Sequence, residues 1–150
     1  MDINAVFTVA NNGILIFWLV LIVAPGWRGT QVLVHSVAVP AVLGVTYLCL
    51  FCWPLVGGPA LPADGSFFSL AGVMALFQSP VATTAGWIHY LVFDLFVGAW
   101  EARDARRRGV PHWLLVPCLI LTLMVGPIGL LAYLTIRAGL GRGGFSLSET

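Results

Sequence analysis

The sequence has few charged residues. They make up 9% of its 150 positions, whereas a typical soluble domain carries roughly 25%. Lysine is absent, so the seven basic residues are all arginines, and hydrophobic residues make up 59% of the chain. This composition excludes an ordinary soluble domain and indicates an integral membrane protein. We expect membrane lipids as partners and no nucleic acid.

Cysteines and enzyme motifs are scarce as well. Three cysteines in apolar stretches do not make a disulfide framework, and the sequence has neither a nucleotide-binding glycine-rich loop nor an HExxH zinc motif. The spacing of His35, His89, Asp94 and Glu101 is not specific to any metal, so we expect neither a metal nor a cofactor. The N-terminus lacks the charged region and cleavage site of a signal peptide, and we expect its apolar segment to remain as a transmembrane helix.

Long apolar runs, by contrast, recur along the chain. A helix needs about 20 apolar residues to cross about 30 Å of hydrocarbon; three runs reach that length and a fourth is shorter. A further segment would reach only about 21 Å as a helix. The sequence therefore predicts an all-α bundle of four transmembrane helices with a short interfacial or re-entrant helix between the second and third, in a single domain over residues 1–150. The predicted spans are 4–24, 32–53, 85–102 and 112–136, and the short helix is 66–79.

Helix-breaking residues occur inside two of these spans. Pro40 removes one backbone hydrogen bond and is expected to kink the second span. Gly126 and Pro127 free further backbone groups and are expected to bend the fourth. In both cases we expect the helix to continue through the break.

The arginines predict the orientation, because cytoplasmic loops collect basic residues. Four spans place Arg28 and the cluster at residues 103–108 on one side, and Arg137 and Arg142 on the other. Both termini are therefore expected to face away from the cytoplasm. The cluster, together with its neighbouring carboxylates, is expected to form a solvated helix end whose cations contact lipid phosphates.

Asp94 lies among apolar residues in the third predicted span. An ionised carboxylate at that depth costs at least about 2.5 kcal/mol, so such a residue has by default a partner and a function. The alternative is a structural role as a buried hydrogen-bonding group. We expect Asp94 to face the bundle interior and to line a lipid-accessible pocket. His89 is displaced from it by about 140° around the helix and is not expected to contact it directly, whereas Glu101 shares its face.

Polar and small residues form stripes on two other spans. The stripe of the first span is Asn4, Thr8, Asn11 and Asn12; that of the fourth is Cys118, Thr122, Gly126, Gly129, Tyr133 and Arg137. Such stripes serve either close helix packing or the lining of a pocket. The expected partners of Asp94 are Asn11, Asn12, Thr122 and Tyr133.

Two sequence blocks resemble the abscisic-acid-deficient (neoxanthin synthase-like) family of small integral membrane proteins. The first is GWIHYLVFDLFVGAWE at residues 86–101, followed by Asp104 and Pro111, and the second is PCLILTLMVGPIGLLAYL at residues 117–134. The Ala10-Asn11 step also resembles the family. The resemblance covers most of the chain, and we expect a bacterial-type member in the bacterial inner membrane.

The resemblance implies a carotenoid-linked activity, the conversion of an epoxy-carotenoid into an allenic alcohol. One proton must reach the epoxide oxygen and one must leave a neighbouring carbon, with no net redox change. We expect Asp94 to be the acid and His89 to be the base or an orienting group. The expected substrate-binding residues are Asn11, Asn12, His35, Trp87, Thr122 and Tyr133, with Asn11 and Tyr133 as hydrogen-bonding supports.

The predicted function is therefore that of a membrane-embedded isomerase acting on a carotenoid or a related isoprenoid lipid. Two alternatives stay open at this point. One is a non-catalytic pigment- or lipid-binding or assembly subunit of a larger membrane complex, and the other is proton conduction through Asp94. The sequence does not decide between a homo-oligomer and a subunit of a membrane complex.

Overall fold

The fold is all-helical, as predicted. It is seen in a computed structural model that describes residues 1–143 and 146–147. Within these residues there are seven α-helices and one 3-10 helix, and no strand. The helices are α1 Ile3–Val23, α2 Arg28–Leu33, α3 Ala38–Cys52, α4 Leu70–Leu76, α5 Pro80–Arg108, α6 His112–Val125 and α7 Pro127–Gly139, and the 3-10 helix Trp53–Val56 follows α3.

Among the described residues, three segments are long and apolar enough to cross a membrane. They are Ile3–Val23, Arg28–Val56 and Pro80–Arg108. The second contains α2, α3 and the 3-10 helix, with an interruption at residues 34–37. Pro40 therefore does not kink a continuous helix as expected. It lies in the first turn of α3 instead, where a missing N–H is tolerated.

The continuous helix expected over residues 112–136 is instead two helices, α6 and α7. Gly126 separates them with φ +42° and ψ −95°, and a positive φ is readily adopted only by glycine. Pro127 is the first residue of α7. A backbone N–H at this position has no acceptor within the helix, so the N–H that proline lacks costs no hydrogen bond. At 14 and 13 residues, the two helices reach only about 21 and 20 Å.

The pair α6 and α7 folds back on itself as a helical hairpin. In a straight helix, residues seven apart are separated by about 10.5 Å along the axis. Yet Gly129 packs directly against Thr122, so closely that a Cβ at Gly129 would overlap the Thr122 backbone. The Gly126-Pro127 step is therefore a reversal of direction and not the bend we predicted.

The remaining helices differ from the predicted ones mainly in their ends. α5 has 29 residues and extends beyond both limits of the predicted span 85–102. The short helix predicted over residues 66–79 is limited to α4, seven residues long. Ser69 caps it, because its Oγ accepts a hydrogen bond from the backbone N–H of Gly72 at 3.1 Å.

The chain divides into two compact units. Unit 1 comprises Met1–Ile14 and Ala38–Val92, and unit 2 comprises Leu15–Val37 and Phe93–Thr150. Aromatic rings cluster in unit 1, where Trp87 packs against Phe7 and Tyr90. In unit 2, the buried Trp18 packs against the backbone of α5 at Gly98. The single domain over residues 1–150 stays a prediction.

Candidate functional site

Three carboxylates lie on one face of α5 within unit 2. Asp94, Glu101 and Asp104 are separated by seven and three residues, a spacing that returns to the same side of a helix. Asp94 is 9% exposed, and Glu101 and Asp104 are fully buried. The solvated helix end expected for Glu101 and Asp104 is therefore wrong. Buried carboxylates need hydrogen-bonding partners, and α6 and α7 supply them.

Asp104 is the centre of a buried ion-pair network. Tyr133 donates its hydroxyl proton to Asp104 Oδ2 at 2.6 Å, and Arg137 Nη1 donates to the same oxygen at 3.0 Å. On the other oxygen, Oδ1, Arg108 Nε donates at 2.7 Å and Arg107 Nη2 at 3.4 Å. Arg137 is itself buried, so its charge and that of Asp104 stabilise each other away from water.

Glu101 lies between Asp94 and Asp104 in the row and is paired with a threonine hydroxyl of α6. Thr122 Oγ1 lies 3.0 and 3.1 Å from the two oxygens of the Glu101 carboxylate. A threonine hydroxyl has one proton to donate, so the two oxygens share it. Both residues are fully buried, which makes this contact a fixed part of the unit 2 interior.

Asp94 lies at the turn of the hairpin. Its Oδ1 would be 2.7 Å from a Cβ placed on Gly126, so the carboxylate lies directly against the glycine backbone. α7 begins at the next residue, Pro127. The first turn of a helix carries partial positive charge, which favours a carboxylate at this position.

The hairpin thus follows α5 along the row of carboxylates. Gly126 lies beside Asp94 at one end of the row, and Arg137 contacts Asp104 at the other. α7 therefore runs in the same direction as α5, and α6 runs in the opposite direction. The stripe predicted from Cys118 to Arg137 is buried, as close helix packing requires. It is divided between two helices that face each other.

Three predicted site residues, Asp94, Thr122 and Tyr133, come together in unit 2, but not in the expected pairs. The two hydroxyls bond Glu101 and Asp104, seven and ten residues beyond Asp94. His35 also belongs to unit 2, where Arg103 Nη1 donates to its Nδ1 at 3.1 Å. A guanidinium has no acceptor, so Nδ1 is the acceptor here.

The other predicted site residues belong to unit 1. Trp87 Nε1 donates to Asn11 Oδ1 at 2.9 Å, and Asn11 Nδ2 donates to Asn12 Oδ1 at 3.3 Å. His89 is exposed, with its ring centroid 6.0 Å from that of Tyr47. Since α5 is continuous through positions 89 and 94, the separation of about 140° between them persists. The roles assigned to these four unit 1 residues stay predictions.

The described residues offer no group of three or more His, Cys, Asp or Glu side chains that is arranged to hold a metal ion. The residues that sequence reasoning left out of the site are Glu101, Asp104 and Arg137. One signal was available for them: Glu101 and Asp104 continue the helical face of Asp94 toward the arginines. Their engagement in one buried row shows that this face is the polar interior of unit 2.

The family model for ABA DEFICIENT 4-like proteins matches residues 5–133. The chain belongs to the ABA DEFICIENT 4-like family. A relative, Protein ABA DEFICIENT 4, chloroplastic, from Arabidopsis thaliana, is 27% identical over 139 residues, which is 90% of this chain and 61% of the relative. The chain thus spans less than two thirds of that protein. No solved structure matches.

This match confirms the family resemblance of the blocks at residues 86–101 and 117–134. The matched region contains the carboxylate row of α5 and the hairpin through Tyr133. The expectation of a bacterial-type member has no support from it, because the relative found is a chloroplast protein of a plant. Family membership and the apolar spans together support a membrane protein.

Proposed function

We propose that this ABA DEFICIENT 4-like protein is a membrane-embedded isomerase acting on a carotenoid or a related isoprenoid lipid by acid-base chemistry. The observation that carries the proposal is Asp94, a buried carboxylate held at the turn of the hairpin in unit 2. A carboxylate inside a membrane segment is costly and marks a functional group by default. The carotenoid class rests on the family.

The proposed reaction opens an epoxide to an allenic alcohol. Asp94, in its carboxylic acid form, delivers its proton to the epoxide oxygen as the C–O bond breaks and becomes a carboxylate, and a base removes a proton from the neighbouring polyene carbon. One proton is gained and one is lost, so the product is an isomer and no electrons are exchanged with a cofactor. His89 is the proposed base or orienting group. Glu101, on the same face of α5 as Asp94, is a second candidate base.

The other residues proposed for the substrate site are Asn11, Asn12, His35, Trp87, Thr122 and Tyr133. Of these, Thr122 and Tyr133 act through the buried carboxylates that they bond. The two hydroxyls therefore position the acidic face of α5, and a direct contact with substrate is not required of them. The partner is a hydrophobic lipid or carotenoid, taken up from the membrane.

A non-catalytic pigment-binding or assembly role is the second candidate. It is favoured by the buried hydrogen bonds of Glu101 and Asp104, which suit a structural interior. Phe93 and Phe96, on either side of Asp94 in sequence, are more than half exposed. Aromatic side chains there can contact a polyene or another subunit.

A turnover assay separates the two functions. The protein is purified in mild detergent, incubated with violaxanthin as the epoxy-carotenoid, and its products are resolved by chromatography and mass spectrometry. Isomerisation predicts a product of unchanged mass with an allenic infrared band, formed in proportion to enzyme and time. Retention of an unchanged pigment throughout the incubation would contradict the isomerase and support the binding role.

We further propose that α6 and α7 enter the membrane from one face and return to it. Neither helix is long enough to cross about 30 Å of hydrocarbon, and Arg142 Nη1 donates to the carbonyl of Arg108 at 3.1 Å, so the ends of α5 and α7 meet. The hairpin replaces the fourth span of the predicted bundle. It also removes the basis for placing both termini away from the cytoplasm.

The arginines support this topology, because all seven belong to unit 2. With α6 and α7 as a re-entrant hairpin, Arg137 and Arg142 join Arg28 and the arginines of α5 on one face. Such one-sided placement marks the cytoplasmic face. The end of α7 then faces the cytoplasm. α1 is long enough to cross the membrane, so the N-terminus faces away from the cytoplasm.

Cysteine labelling tests the topology. Trp27→Cys and Leu140→Cys, both at exposed positions that leave every arginine in place, are made separately in a background lacking the three native cysteines. We expect a membrane-impermeant maleimide to label both from the same side. A four-span protein would show labelling from opposite sides. Asp64→Cys, in the loop before α4, serves as the control that labels from the other face.

A further inference from the structure

A row of polar side chains lies on an exposed face of α1 within unit 1. Asn4, Thr8 and Asn12 follow one another at four-residue intervals, so they share one side of the helix, and all three are exposed. α1 is long and apolar enough to cross a membrane. Lipid offers no hydrogen-bond partner to an amide or a hydroxyl. The row therefore indicates that something other than lipid covers this face.

Asn12 is the member of the row that lies deepest in the membrane. α1 has 21 residues, Ile3–Val23, so its middle is position 13 and Asn12 lies next to it. The distance from Ile3 to Asn12 along the helix is about 14 Å, close to half of the roughly 30 Å of hydrocarbon. Bulk water and lipid headgroups lie outside this layer. A partner for the Asn12 amide must come from protein or from a bound molecule.

Hydrogen bonds within the chain engage one side of the Asn12 amide. Trp87 Nε1 donates to Asn11 Oδ1 at 2.9 Å, and Asn11 Nδ2 donates to Asn12 Oδ1 at 3.3 Å. Within the residues that the structure describes, the Asn12 side chain makes no other hydrogen bond, and the side chains of Asn4 and Thr8 make none. The Asn12 amide is thus held by its oxygen, and its two N–H groups are left to donate.

The chemistry of the row selects its partner. The three side chains are uncharged, and amides and hydroxyls both donate and accept hydrogen bonds, so the row is complementary to a copy of itself. A carotenoid carries its oxygens on its end rings and is apolar between them, so it cannot satisfy side chains on successive helical turns. Beside Asn12, a Cβ at Gly13 would meet nothing within 4 Å. A second helix can approach closely at such a position.

We propose that two copies of this chain form a dimer in the membrane by packing α1 against α1. Copies inserted in the same orientation are related by a two-fold axis along the membrane normal, so their α1 helices run parallel. Asn12 then meets Asn12 of the second copy at the same depth, and Thr8 meets Thr8. Because Asn12 Nδ2 carries two N–H groups, a bond to the second copy leaves one for the substrate contact proposed above. The dimer does not depend on the isomerase function.

The oligomeric state of the full chain in lipid tests the dimer. Fluorescently labelled protein is reconstituted into liposomes over a series of protein-to-lipid ratios, and its bleaching steps are counted in single particles. We expect two-step bleaching whose fraction rises with protein density as a monomer-dimer equilibrium requires. A monomer at every ratio overturns the proposal. A monomer that retains a lipid, which Asn12→Leu then loses, also overturns it and assigns the face to that lipid.

Substitutions of Asn12 test whether its amide is at the interface. Asn12→Leu makes the span more apolar, so membrane insertion is not impaired, and we expect it to weaken the dimer about tenfold through lost interhelical hydrogen bonds. Asn12→Gln keeps an amide and should weaken it less than about threefold. A dimer that Asn12→Leu leaves unchanged would use a different face, which overturns the proposal.

Thr8→Val and Thr46→Val are a matched pair, because both remove a hydroxyl and keep the shape of the side chain. Thr8→Val is expected to weaken the dimer about threefold, the average effect of an interhelical hydrogen bond. Thr46 lies on α3, where its Oγ1 donates to the carbonyl of Val42 at 2.9 Å within the same helix, and Thr46→Val should leave the dimer unchanged. Equal losses in the two variants would contradict an interface on α1.

Discussion

Asp94→Asn is expected to lower turnover of an epoxy-carotenoid about 10²–10⁴-fold, the usual contribution of a general acid. Asparagine has nearly the same shape as aspartate, so it fits the space beside Gly126 where Asp94 Oδ1 lies against the backbone. It has no carboxylic proton to deliver to the epoxide oxygen. The loss should therefore appear in the rate of product formation and leave the protein folded.

The measurement compares initial rates of allenic product formation for the wild type and the variant at equal amounts of monodisperse protein. Asp64→Asn is the matched control. It is the same chemical change at an exposed position outside the described helices, and its rate should equal that of the wild type. Full turnover by a folded Asp94→Asn protein would remove Asp94 from the mechanism.

Glu101→Gln adds a test of the base. The glutamine side-chain oxygen still accepts a hydrogen bond from the Thr122 hydroxyl, so the contact at about 3 Å between these residues is preserved. If Glu101 is the base, its variant loses turnover as Asp94→Asn does, while His89→Gln stays active. If His89 is the base, the two results are reversed. Retained turnover in both variants would leave neither residue as the base.

The apolar spans and the carboxylate face of α5 were predictable from the sequence because both are local patterns. Segment length and hydropathy define a membrane span, and helical periodicity places Asp94 and Glu101 on one face. Family blocks within residues 86–134 predicted the family that the comparison confirms. None of these inferences requires knowing which residues distant in sequence meet.

The hairpin could not be derived from the same patterns. Thr122 lies four residues after Cys118, and Tyr133 and Arg137 are also four apart, so each half keeps a helical face on its own side of Gly126. A bend and a reversal at Gly126-Pro127 preserve this periodicity equally well. What distinguishes them is long-range pairing, such as the bond between Asp104 and Tyr133, 29 residues apart.

The wrong prediction of one continuous span over residues 112–136 also explains why the partners of the site residues were predicted wrongly. In a continuous span, Tyr133 and Arg137 would lie far from Asp104, which then has no buried partner and is expected in solvent. The reversal brings both beside it. A single change of direction at Gly126 thus turns a solvated helix end into a buried network. It also places the Thr122 hydroxyl against Glu101 and the Tyr133 hydroxyl against Asp104, whereas both were expected to contact Asp94.

This network leads to the largest expected change in stability. Asp104→Leu removes the carboxylate that Arg137 and Arg108 share, and with it the counter-charge that lies 3.0 Å from the buried Arg137 guanidinium. Breaking a buried ion pair by removing one partner costs about 3–5 kcal/mol. We therefore expect a strongly lowered midpoint in denaturant or heat, because a whole unfolding free energy is only about 5–15 kcal/mol.

A double variant determines whether the loss reflects an unpaired charge or a packing defect. Replacing a buried ion pair by apolar residues of similar volume is often close to neutral. Asp104→Leu combined with Arg137→Met should therefore recover much of the stability that Asp104→Leu loses. Arg142→Gln removes an exposed guanidinium whose one described hydrogen bond goes to the Arg108 carbonyl, and it should change stability by less than about 1 kcal/mol. If the double variant is less stable than Asp104→Leu alone, Arg137 supports the hairpin by contacts other than its ion pair. The unfolding midpoint, followed by circular dichroism in detergent, decides between these outcomes.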